Sequence, residues 1–245
     1  MNSFLKMSAV AVILSLGMIL SSSLLSKFFL RIRHEQAITV KGYAEQDVLS
    51  DVGKFSCTCS ARGTSLKEAY GKLQESRLAV MAFLKQAGFL EAEVVSETIE
   101  TQKISKRDAQ GKETNETEYF DVSQALAVSS TNVALIRAVS TGITDLIKDG
   151  IDIRSSPPAF YVADLKDTKL RLLAQATEDG YRRAVALAEN SKGKVGALIS
   201  AQQGVFQITE RNSTATSGYG EYDTSAIEKT AKAVVTLEYA IESGK

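Results

Sequence analysis

Twenty consecutive residues, Met7 to Ser26 (MSAVAVILSLGMILSSSLLS), carry no charge. At about 1.5 Å of rise per residue, a helix of that length covers about 30 Å, the thickness of a bilayer's hydrocarbon core. A secretory signal peptide would have an apolar region of only about 7–15 residues closed by a small-x-small site. Here the apolar run continues through Leu24 and Leu25, and no Ala-x-Ala stands nearby. The expectation is an uncleaved, single-pass transmembrane anchor with its juxtamembrane segment over residues 1–35, a cleaved signal being the alternative. Lys6 flanks one side, and Lys27, Arg31 and Arg33 flank the other. Counted by the positive-inside rule, these charges would keep the C-terminal body in the cytoplasm.

Residues 36–245 are enough for one large domain or two small ones with a real core. Lys plus Arg and Asp plus Glu are 29 each, so no overall field attracts nucleic acid, and a nucleic-acid partner is not expected. A hydrophobic fraction of 44% with 24% charged residues is that of a globular protein and not of a disordered one.

Ala37 to Gly42 is a short β-like run, and Val52 to Ala61 alternates as a half-buried strand. Ser65 and Glu68 form a capping box for a helix that runs to Ala87, with Gly88 as its stop. Its apolar stripe is Leu66, Tyr70, Leu73, Val80, Leu84 and Ala87. Strands are expected over Glu93–Thr101 and Tyr119–Ser129, with Lys103–Thr117 between them as a long solvated tip. Asn132 caps the next helix, whose stripe is Val133, Ile136, Ser140, Ile143 and Ile147, with Gly150 as stop. Pro157-Pro158 suits an edge strand or a bulge. Asp164 opens a long helix to Asn190, followed by a strand Val195–Gln207, a polar loop and a strand Ala231–Ile241. Strand, helix, strand, long loop, strand occurs over residues 36–130 and again over 151–245, joined by the Val133 helix. The expected class is α+β: two such halves, antiparallel sheets with helices packed on them, behind one N-terminal transmembrane helix.

Three groups of residues are candidates for function. Cys57 and Cys59 share one face of a strand, where side chains two apart bridge poorly. Buried, inert thiols are the favoured reading, and a thiol-based redox or oxidant-defence pair is the alternative. Ala176, Gly180, Ala184 and Ala188 recur every fourth residue and make a narrow ridge. Such a ridge serves either close packing on the chain's own sheet or self-association with a neighbouring subunit. Tyr219 and Tyr222 are aromatics inside a polar loop and are the candidate loop contacts.

The residues after the anchor resemble the SIMPL-domain family. Ile38-Thr-Val-Lys-Gly42 is similar to its opening strand and glycine, and Thr64–Gly88 to its first helix. The fullest likeness is FYVADLKDTKLRLLAQATEDGYRRAVALAENSKGKVG, Phe160 to Gly196. Two positions depart from the family pattern: Ala44 stands for a second glycine, and Ser50 for a proline often found before the strand's aspartate. The resemblance implies a bacterial envelope protein of α+β fold with an exported body. It also implies relatives labelled periplasmic immunogenic or oxidative-stress-defence proteins, some of them assembling into rings or channels. The family has no agreed catalytic residues, so none is carried over.

Nucleophilic catalysis needs a nucleophile, a base and an orienting group. The sole histidine, His34, lies beside the apolar run, so the body holds no Ser-His or Cys-His pair. Neither a glycine-rich phosphate loop nor a metal-ligand spacing is present. The expectation is therefore no enzyme, cofactor or metal. It is a single-pass protein of the bacterial inner membrane whose body is periplasmic. That body has a structural or binding role, forms a homo-oligomer and is linked to stress defence.

Overall fold

A computed structural model describes residues 17–19, 21–22, 37–213 and 219–243. Most of Met7–Ser26, its flanking charges and His34 lie outside the described residues, as does Gly218 of the polar loop. Among the described residues no helix is long and apolar enough to cross a membrane. The described body is α+β, with antiparallel sheets and helices packed on them. Two compact units are drawn from interleaved stretches of chain: Glu45–Lys169 with Phe206–Lys232, and the remainder.

The larger unit is organised by strand β2 (Val52–Gly63). Its inward residues Phe55, Cys57 and Cys59 are buried, as the alternation predicts. One edge of β2 pairs antiparallel with β4 (Glu113–Ser130), from Gly53 opposite Ser130 to Gly63 opposite Phe120. β3 (Val94–Arg107) lies beyond β4. The other edge carries two short strands, β5 (Asp152–Ser155) and β6 (Ala159–Tyr161). Pro157-Pro158 sits between these two, where the absent N–H groups break no ladder.

Helix α1 (Leu66–Ala87) covers the inward face. Ser65 caps it by accepting from the Glu68 N–H at 3.2 Å. The return bond from the Glu68 carboxylate goes to the Thr64 N–H at 2.9 Å, one residue earlier than a capping box requires. Gly88 closes the helix at φ 112°, in the left-handed region that favours glycine. The buried stripe is Ala69, Leu73, Val80 and Leu84, whereas Leu66 and Tyr70 are exposed. Gly63 explains that rotation: a Cβ there would stand 2.4 Å from the Ala69 nitrogen, so the first turn of α1 passes too close to β2 for larger groups.

Helix α2 (Val133–Gly142), capped by Asn132 through the Leu135 N–H at 3.1 Å, is shorter than its stripe suggests. From Ile143 to Asp149 the chain tightens to a 3₁₀ helix. Three residues per turn align Ile143 with Leu146, so Leu146 is buried and Ile147 is 56% exposed. Ser50 donates its N–H to the Ile227 carbonyl at 2.9 Å, a bond that a proline at that position could not make.

In the smaller unit, helix α3 (Lys166–Asn190) from Leu170 packs on a sheet formed by the first part of β1 (Ala37–Leu49), the later part of β9 (Glu228–Ser243) and β7 (Gly193–Gln203). Ala176, Gly180, Ala184 and Ala188 are buried. A Cβ on Gly42 would meet the Ala176 carbonyl oxygen at 1.9 Å and the Gly180 nitrogen at 2.7 Å, so strand and helix touch backbone to backbone. The expected strand Val195–Gln207 is broken. Gly204 turns its N–H to the Val234 carbonyl at 2.8 Å, and the chain re-forms as β8 (Gln207–Glu210), which pairs with the start of β9 in the larger unit.

The Gly42 contact is rigid backbone, whereas a Cβ on Gly180 would meet the movable end of Leu237 at 2.7 Å. Gly42→Ala is expected to destabilise the chain by about 3 kcal/mol or more, as overpacking against immovable atoms does. Gly180→Ala is expected to cost much less, because about 1 kcal/mol of helix propensity is recovered. Urea unfolding followed by circular dichroism measures both.

Candidate functional site

The two thiols are free and wholly buried. Cys57 Sγ lies 3.8 Å from the Leu126 carbonyl oxygen and Cys59 Sγ 3.5 Å from that of Gln124. Burial, reinforced by the neighbouring Cys59, pushes the Cys57 thiol up to about 12. Burial raises Cys59 as well. With a pKa near 12, about one Cys57 in ten thousand is thiolate at pH 8. The site supplies packing and has no nucleophile poised for exchange.

The small-residue ridge is spent within its own unit, on Gly42 and Leu237, as the fold shows. Tyr222 is also turned inward in part. Its hydroxyl accepts from the Val162 N–H at 3.0 Å and donates to the Val162 carbonyl at 3.4 Å, while its ring lies 6.2 Å from that of Tyr161. Tyr222 therefore clamps the polar loop to the segment that follows β6. Tyr219 is fully exposed.

Lys103–Thr117 is not a loose tip. β3 and β4 continue as a two-stranded ribbon to a short turn in which Asp108 Oδ1 accepts from the N–H groups of Gln110 (3.0 Å) and Lys112 (2.8 Å). The Asp108 N–H bonds the Lys112 carbonyl at 2.9 Å. Ion pairs Lys106–Glu116 (3.0 Å) and Arg107–Glu113 (3.5 Å) cross the ribbon.

A polar cluster of the larger unit went unread in the sequence. Lys229 is wholly buried, and its ammonium donates to the Asp223 carbonyl at 2.6 Å and to the Asp223 carboxylate at 3.2 Å. Arg211 bridges Asp47 and Glu228 at 3.1 Å each, and Thr230 donates to Asp47 at 3.1 Å. The signal was a lysine in step with the inward row Ala231, Ala233, Val235 and Leu237, two residues before the expected start of that strand. Burial tends to push the Asp223 carboxyl up, but hydrogen bonds from the Ala226 N–H, the Ser225 hydroxyl and Lys229 outweigh it and hold it below its ordinary value. These groups hold one another. A surface pocket of about 540 Å³ is lined by Arg62, Lys72, Glu75, Asp149 and Asp152, charges of both signs. Among the described residues no group of three His, Cys, Asp or Glu is placed to hold a metal.

What this geometry defines is an α+β body with exposed strand edges at β3 and β7. Its family follows from comparison with known proteins: a model of the SIMPL family, described as protein of unknown function (DUF541), matches residues 38–243. The chain belongs to that family. No curated protein matches it.

Three outcomes are expected. Iodoacetamide at pH 8 should leave the folded chain unlabelled and modify both thiols once guanidinium unfolds it; rapid labelling of the native protein would contradict the burial. Lys229→Ala should cost about 2–3 kcal/mol by stranding the Asp223 carboxylate, and the Lys229→Met/Asp223→Asn pair should recover most of it. Because the Asp223 pKa is lowered on folding, its contribution is present above the ordinary aspartate value and is lost as pH falls through the depressed one. Asp223→Asn should remove that acid sensitivity from urea titrations.

Proposed function

We propose that this chain is a tethered envelope protein with a structural or binding role, which self-associates and catalyses no reaction. The observation that carries the reading is strand β7. It is an edge of its sheet, and Ala197–Gln203 are exposed. Register shifts between Val195 and Leu198, and between Leu198 and Ser200, disturb the alternation. As a result Leu198 and Ile199 are both turned out, 51% and 47% exposed. Soluble proteins normally guard such edges with charge or proline, and β7 has only Lys194. An open row of backbone groups beside two aliphatic side chains is a surface that another strand satisfies.

The tether is Met7–Ser26, whose length and lack of charge suit a single inner-membrane span. The reading places the body in the periplasm, following the exported relatives over the flanking-charge count. Its link to stress defence rests on the family resemblance alone.

Sedimentation of the full-length protein in mild detergent tests self-association: an oligomer is expected, and a monomer across the accessible concentration range contradicts it. Leu198→Glu/Ile199→Glu should weaken association about tenfold or more, which is about 1.4 kcal/mol or more. A reporter fused after Lys245 that is active only outside the cytoplasm should be active; an inactive but expressed fusion would reverse the orientation.

A further inference from the structure

The ribbon made by the ends of β3 and β4 segregates its charge by strand. From Gln102 to Arg107, β3 carries Lys103, Lys106 and Arg107 and no acid. From Glu113 to Tyr119, β4 carries Glu113, Glu116 and Glu118 and no base. The ribbon also extends past its sheet. β2 pairs with β4 only from Phe120 onward, so Glu113–Tyr119 have β3 on one side and no other strand of the described chain on the other. β3 is paired on one side only along its whole length. Both flanks therefore present backbone donors and acceptors, one beside basic side chains and one beside acidic ones. The internal pairs leave charge to spare: their side chains are 54–74% exposed, and Lys103 and Glu118 have no ion pair among the described residues.

We infer that the β3–β4 ribbon is a head-to-tail docking element, with the basic β3 flank of one copy pairing against the acidic β4 flank of the next. The inference rests on the self-association proposed above and names its partner surface. Charge decides the geometry. Opposing β3 to β3, or β4 to β4, sets like charges across the new ladder, which destabilises a strand pair, whereas β3 against β4 sets opposite charges across it. The contact is then heterologous, made by two different flanks, and it propagates or closes according to the rotation between copies. An isolated two-stranded ribbon is marginal in water. Flanking ribbons would complete its hydrogen bonding, and the Asp108 turn holds its end in shape for them.

The test uses two full-length variants in mild detergent, with sedimentation as readout and circular dichroism as the check on folding. In the first, Lys103→Glu/Lys106→Glu/Arg107→Glu makes both flanks acidic. In the second, Glu113→Lys/Glu116→Lys/Glu118→Lys makes both basic. Each alone is expected to lose association, by about tenfold or more in concentration, and an equimolar mixture to regain it. Restoration in trans is an outcome that damage within the ribbon cannot produce. Two results would overturn the inference while leaving self-association standing: variants that assemble as the wild type does, or a mixture that stays dissociated although the wild type assembles. A wild-type monomer would remove both.

Discussion

A β-strand at the edge of a sheet leaves half its backbone donors and acceptors to water, and much of this molecule's surface is set by that constraint. β2 is satisfied on both sides, by β4 on one and by β5 and β6 on the other. It can therefore carry a dry inward row of Phe55, Cys57 and Cys59 under α1. β7 and the ends of β3 and β4 are not satisfied in this way, and they are where exposed aliphatics and sorted charges appear. Interior and periphery thus differ: the backbone of β2 finds partners on both sides, whereas β7 and the ends of β3 and β4 have a partner strand on one side only among the described residues.

The same accounting applies to the buried titratable groups. Burial raises the pKa of both Cys57 and Cys59 above that of an ordinary thiol. Lys229, an ammonium at the base of β9, is fully engaged by Asp223. Such a pair costs desolvation and returns it only through close geometry. Its yield here is positional, because Asp223 also accepts from Ala226 and Ser225 and so fixes the polar loop. Tyr222 fixes the same loop from its other side.

Much of the fold was legible because local rules and tertiary packing agree. Ser65, Gly88 and Asn132 end helices where capping chemistry says they should, and the alternation through Phe55, Cys57 and Cys59 gave the correct inward face. Where expectation and structure part, backbone geometry that the side-chain pattern does not encode is responsible. The stripe of α1 is rotated because Gly63 brings β2 against Ala69. Ile147 faces out because the helix tightens after Gly142. Lys103–Thr117 reads as a long solvated hairpin tip because its exposed polar residues offer no inward apolar row to mark how far β3 and β4 continue. The ridge of small residues was visible, but only the approach of Gly42 shows that it is consumed within the chain.

What remains outside is a pair of complementary flanks and an open β7, in a family described only as of unknown function. The proposed assembly by strand addition would use those edges, and hydrogen exchange reads it at the amides themselves. In full-length protein, Glu113–Tyr119 amides should exchange fast below the association concentration and markedly more slowly above it. Unchanged exchange over that segment in a preparation already shown to be oligomeric would contradict the account.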